Sequence, residues 1–224
     1  MKICSECHAG CCRKFHINLT GYDILSIKKT LDLDYPFFLQ INQVENDVIE
    51  KRSKRNALFK FSDLDSEKYY TFHLRRVKSK YYKDSERCLF LTEWNNTDIQ
   101  LPYSEKVYAR CGIYNSRPLT CAVFPTELHP DGMIGYTSDV NCYTEKSDNP
   151  AYNLCPRALN EKDLESATGN MIQTLVVRKY ELEYFKSVAK IWNSTPGTYA
   201  RFFDFLEMAY KNRILYVKPE IKDN

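Results

Sequence analysis

Nine cysteines, at positions 4, 7, 11, 12, 88, 111, 121, 142 and 155, constrain this chain more than any other feature, and four of them fall within nine residues. In a secreted protein they would read as disulfides. Here the count is odd, the opening Met1-Lys2-Ile3-Cys4 has no long apolar stretch, and 224 residues are enough to bury a core without covalent staples. A reducing compartment leaves thiolates for metal, so a cytoplasmic setting is expected. Any one cysteine can be a small buried hydrophobe. Four in nine residues are not explained that way.

Cys4-Ser5-Glu6-Cys7 is a C-x2-C pair, a spacing at which a tight turn brings two sulfurs onto one ion at about 2.3 Å for zinc. Cys11 and Cys12 are adjacent, and neighbouring side chains diverge from the backbone, so the two are expected to serve different sites or to leave one of the pair structural. Eight thiolates divide into two four-cysteine centres, or one cluster and one zinc. The alternative is a single site with the remaining thiols buried. Thiolate softness suits zinc and iron-sulfur clusters equally. The ferredoxin run C-x2-C-x2-C is absent, and Cys4 to Cys11 reverses the C-x3-C-x2-C order of radical enzymes that use S-adenosylmethionine.

The rest of the chain reads as an α+β protein. Thr20 followed by Asp23 forms a capping-box-like start, and Ile24, Leu25, Ile27 and Leu31 continue at helical spacing, which predicts a helix over about 20–31. Between Pro36 and Tyr82 the pattern turns β-like. Phe59 and Phe61 alternate with polar residues, as do Tyr70, Phe72 and Leu74, which predicts two or three strands with 58–61 and 69–77 as a hairpin. Residues 88–125 read as irregular structure held around a site. A strand is expected over 133–137, after the turn signal Pro130-Asp131-Gly132. From residue 160 onward there is no cysteine, and two amphipathic helices separated by Pro196-Gly197 predict a helical hairpin. The expected organisation is a metal-binding domain over 1–159, irregular and cysteine-rich, with short helices and a small antiparallel sheet. The hairpin over 160–224 would pack on it.

Three strings carry a resemblance: CSECHAGCC at the amino end, Cys88-Leu89-Phe90-Leu91, and CGIYNSRPLTCAVFP from Cys111 to Pro125. In this order they resemble the YkgJ-type cysteine-cluster family, whose members are described as zinc- or iron-chelating and often labelled iron-sulfur proteins. The resemblance covers about residues 3–157. It implies metal ligands at Cys4, Cys7, Cys11, Cys12, Cys88, Cys111 and Cys121, and at Cys155, where Cys155-Pro156-Arg157 is similar to a closing Cys-Pro-Gly with arginine in place of glycine. The 88–111 stretch is longer than is usual in the family, consistent with an inserted loop at 94–106. Cys142 is the cysteine that the resemblance places least well.

His8 lies between two cysteine candidates and could complete a site, whereas His16, His73 and His129 read as structural or exposed. Pro118 fixes a turn, and Arg117 either neutralises a thiolate-rich centre or forms an ordinary ion pair. The implied function is a metal-binding protein holding zinc or an iron-sulfur cluster in a structural, redox or metal-handling role. A wider likeness to flagellin lysine methylases implies an alternative, methyl transfer from S-adenosylmethionine to protein lysines, although no G-x-G-x-x-G dinucleotide or methyl-donor fingerprint is present. Thirty-two basic against 29 acidic side chains give a net charge of +3, which argues against nucleic-acid and membrane partners. A protein partner is left open.

Overall fold

The computed structural model describes residues 9–82, 85–95, 107–129, 132–136, 162 and 169–216. In chain order its elements are α1 (Gly10–Lys14), α2 (Gly21–Leu31), α3 (Tyr35–Phe38), β1 (Leu39–Val44), α4 (Ile49–Arg55), β2 (Tyr69–Leu74), β3 (Arg76–Lys78), β4 (Glu86–Cys88), β5 (Leu91–Asn95), β6 (Val107–Cys111), α5 (Leu119–Val123), β7 (Thr126–Leu128), β8 (Ile134–Tyr136), α6 (Gly169–Ser194) and α7 (Tyr199–Tyr216). The class is α+β. Among the described residues the strands pair antiparallel, two by two: β1 with β2, β3 with β4, β5 with β6 and β7 with β8.

α2 starts where its capping residues say. The Thr20 hydroxyl accepts the Asp23 N–H, and Asp23 Oδ2 accepts the Thr20 N–H at 2.9 Å, which satisfies two backbone donors at the helix start. The hairpin expected between 58–61 and 69–77 is not formed. β2 pairs along its other edge with β1, in the register Leu39↔Leu74 to Val44↔Tyr69, and Phe59 makes an isolated bridge to Tyr70. The physical reason lies on the edge of β2 that faces Phe59, where Leu19 N–H bonds the Phe72 carbonyl and Leu74 N–H bonds the Ile17 carbonyl (both 3.0 Å). Asn193 accepts the Lys60 N–H (2.9 Å) and donates to the Leu58 carbonyl (2.8 Å), and Trp192 Nε1 donates to the Lys60 carbonyl (2.7 Å). Side chains from α6 thus satisfy the groups of Leu58 and Lys60 on the opposite edge, while Phe59 exchanges both of its own with Tyr70 (3.0 and 2.8 Å).

The two C-terminal helices break at Pro196-Gly197 as expected. A Cβ at Gly197 would lie 2.8 Å from the Trp192 ring, so this position admits no side chain without movement of the indole. Both helices share one core with β2. Phe59, Phe61, Phe72, Phe185 and Phe202 are fully or almost fully buried, and the Phe72 and Phe202 rings stack at 4.8 Å. Each such ring contributes about 3–5 kcal/mol by its burial and packing. The expected strand at 133–137 is present as β8, and the positive φ of Gly132 (85°) belongs to the turn before it. Pro130 and Asp131 lie outside the described residues.

Candidate metal centre

α1 carries two adjacent cysteines and is held in place by buried charge. Arg13, with a fully buried side chain, donates from Nε (3.0 Å) and Nη2 (2.9 Å) to Glu93 Oε1 on β5. Glu93 also accepts the Ser79 hydroxyl at 3.0 Å and ion-pairs with Arg87 at 3.1 Å, so two cations and several hydrogen bonds satisfy one buried carboxylate. Arg76 on β3 closes the C-terminal end of α1. Its guanidinium donates to the carbonyls of Arg13 and Phe15, and to the Glu86 carbonyl at 3.0 Å. The first two lie at the C-terminal end of α1, where the helix itself leaves carbonyls unpaired. Arg76 is the register partner of Cys88, so the residue that anchors α1 also fixes the strand bearing the next thiol.

From Cys88 the chain turns into β5, whose Leu91 pairs with Cys111 at the end of β6. Gly112 donates to the Phe90 carbonyl at 2.8 Å, and a Cβ there would lie 3.1 Å from that oxygen. Cys121 sits on α5, beyond the Arg117-Pro118 turn. That turn is tied to α2, because Asp23 Oδ1 accepts the Leu119 N–H at 2.8 Å. Cys11, Cys12, Cys88, Cys111 and Cys121 line one cavity of about 570 Å³, walled on another side by Leu175 and Arg178 of α6.

The thiols act on one another electrostatically. Burial pushes the Cys88 thiol up to about 12, and a negative charge on Cys12 adds to the effect. Cys111 is raised by burial and then by Cys12, and Cys121 is raised well above the ordinary value by burial, then by Cys12, Cys88 and Cys111. Cys12 moves the other way. A hydrogen bond from Cys11 favours its thiolate against the cost of burial, and Arg13, Arg76 and Arg117 add positive potential. One favoured thiolate among thiols that burial keeps neutral is a donor set short of positive charge.

Cys11 and Cys12 do not diverge as their adjacency suggested. Their sulfurs stand 4.0 Å apart, close to the roughly 3.8 Å between two ligands of one tetrahedral zinc with bonds of about 2.3 Å. Among the described residues no three histidine, cysteine, aspartate or glutamate side chains are spaced to hold an ion together. The donor chemistry fits a thiophilic metal, while the spacing of the thiols around the cavity is wider than a coordination sphere. Cys4, Cys7, Cys142, Cys155 and His8 lie outside the described residues. Arg117 stacks over the Tyr114 ring at 4.0 Å and donates to the Ala122 carbonyl at 3.5 Å. Its influence on the cysteines is through charge, with no hydrogen bond to sulfur among the described residues. His16 and His73 pack edge to face, 6.0 Å apart, and His73 Nε2 lies 2.7 Å from the Thr71 hydroxyl.

A family model for CxxCxxCC, described as a "putative zinc- or iron-chelating domain", matches residues 3–155. The chain belongs to the CxxCxxCC family. That stretch contains all nine cysteines, the first at its second residue and the ninth at its last, and it leaves out α6 and α7. The family's name spells C-x2-C-x2-C-C, whereas this chain reads C-x2-C-x3-C-C from Cys4 to Cys12. The additional residue falls within 8–10, where Ala9 takes left-handed backbone at φ 61° just before α1. No curated protein and no solved structure matches the chain. Sequence reasoning missed Arg13, Arg76 and Glu93 as supports of the site. Glu93 is 80 residues from Arg13, and no local pattern announces a pair at that separation.

Proposed function

We propose that this CxxCxxCC-family chain holds zinc or an iron-sulfur cluster through cysteine thiolates, with a structural, redox or metal-handling role. One observation carries the reading. Cys12, Cys88, Cys111 and Cys121 come from four separate elements, line one cavity, and the charge of Cys12 is felt by each of the other three. Such convergence gains nothing for neutral buried thiols, which need no common cavity, but it is what a shared cation requires. The remaining ligands of this proposal are Cys4, Cys7, Cys11 and Cys155. A bound zinc would cross-link the elements, and a bound cluster would carry an electron.

The chain's own residues prepare the site. Arg76 and the Arg13–Glu93 pair set α1 against β4 and β5, and Asp23 sets the turn before α5. Cys12, the thiol whose ionisation is favoured, is the natural first ligand, and the others lose their protons as positive charge arrives. Elemental analysis of protein purified with and without oxygen tests the reading. Zinc in both preparations, or iron with an equal amount of sulfide in the anaerobic one, is the expected result. Folded protein with neither metal would refute it.

A further inference from the structure

Arg178 reaches the thiol cavity from α6, outside the stretch that the family model matches. Its Nε donates to the Thr120 hydroxyl at 3.1 Å, the residue immediately before Cys121. Among the described residues this is its one hydrogen bond, so the two terminal nitrogens of the guanidinium have no protein acceptor there. The side chain is only partly exposed, and burial works against its charge. Asp23 and Glu127 lend some negative potential. Both oxygens of Asp23 are already engaged, Oδ1 with the Leu119 N–H and Oδ2 with Thr20. A guanidinium held by one nitrogen at the wall of a cysteine cavity, with its remaining donors open to solvent, is placed to take an anion inside that cavity. A metal bound by four thiolates is such an anion.

We infer that Arg178 is a positioning residue for the metal-thiolate centre, supplying countercharge and hydrogen bonds to its sulfur ligands from the C-terminal helices. The inference rests on the metal reading above. Thr120 orients the guanidinium, and α6 thereby becomes part of the centre without contributing a ligand. Partners of this kind govern metal retention by roughly 10- to 100-fold in other sites.

The test compares metal-loaded wild type with Arg178→Gln, Arg178→Lys and Thr120→Val. Transfer of the metal to excess chelator is followed with a metal-sensitive dye, and melting of the metal-free proteins is recorded in parallel. Arg178→Gln is expected to lose metal roughly 10- to 100-fold faster than wild type. Arg178→Lys, which keeps the charge, should stay near wild type, and Thr120→Val should fall between. Metal-free melting should be alike in all four, because the role exists only toward the bound centre. A release rate in Arg178→Gln equal to that of wild type would overturn the inference and leave the metal reading intact. So would faster release matched by an equal loss of stability in the metal-free form, since Arg178 would then serve Asp23 and the fold alone. If Arg178→Gln does not fold, unchanged release in Thr120→Val decides against the inference and faster release there decides for it. Wild type that binds no metal removes both readings together.

Discussion

The aromatic core around β2 and the thiol cavity beside α1 are both buried, yet they are completed in different ways. Around β2 the partners all come from the chain. Phe72 packs on Phe59 and Phe202, and the backbone polar groups of Leu58 and Lys60 are matched by Asn193 and Trp192, those of Phe59 by Tyr70. Around the cavity the chain supplies thiols, three of which burial holds in their neutral form, together with a surplus of cationic groups facing them. Burial that stabilises rings works against the thiolates a metal needs. The first region can fold on its own groups, whereas the second is completed by a cation from outside.

The largest effect that separates the two is metal removal. Structural thiolate sites couple on the order of 10 kcal/mol of binding to folding, so stripping the metal should remove hydrogen-exchange protection at Gly112, Leu119 and Ala122 while Phe72 and Leu74 keep theirs. An equal loss in both regions would erase the distinction, and an unchanged melting curve after verified removal would deny the coupling. Next is Phe72→Ala, expected to cost about 3–5 kcal/mol in urea unfolding. The cost should be similar with and without metal, because the ring, although it reaches the cavity wall, takes its ring partners from Phe59 and Phe202. A Phe72→Ala protein that keeps its fold but sheds its metal would join the two regions.

Acid sharpens the comparison further. His73 is buried beside β1, and burial, with the charges of His16 and Arg52, lowers it from 6.5 to about 4. A histidine with a depressed folded value contributes stability that is full above its unfolded value and is lost as pH falls toward the folded one. Metal-free wild type should therefore lose about 3 kcal/mol between roughly pH 6.5 and 4, at about 1.4 kcal/mol for each pH unit of difference. Urea midpoints at pH 7.5, 5.5 and 4.5 for wild type and His73→Gln check this. A constant gap between the two across that range would place the acid sensitivity elsewhere. The smallest effect is expected at Cys142, which is outside the family's implied ligand set. Cys142→Ser should retain its full metal content, and a loss equal to that of Cys121→Ser would enlarge the centre.

Legibility in the sequence followed the range of the interactions. α2 was readable because its cap, Thr20 and Asp23, lies within three residues, and the break between α6 and α7 because Pro196-Gly197 marks it locally. β1 was missed. Its partner β2 was assigned to Phe59 and Phe61, whose alternation is stronger, and the competing bonds of Ile17 and Leu19 to β2 come from more than 50 residues away. α4 was missed for a different reason. Its sequence IEKRSKR has no apolar stripe, and the helix runs over the surface with no buried residue. At the site, the cysteines and their grouping were visible as residue types at telling spacings. The ions that position them were not, because a buried Arg13–Glu93 or Arg178–Thr120 contact leaves no periodic trace.

X-ray absorption at the edge of the bound metal tests most directly whether thiolates from separate elements converge on one centre. The expected result is a first shell of sulfur at about 2.3 Å, reduced in sulfur count by Cys12→Ser, Cys88→Ser, Cys111→Ser or Cys121→Ser. A shell of nitrogen or oxygen at about 2.0–2.2 Å, or a sulfur shell unchanged in all four variants, would contradict it.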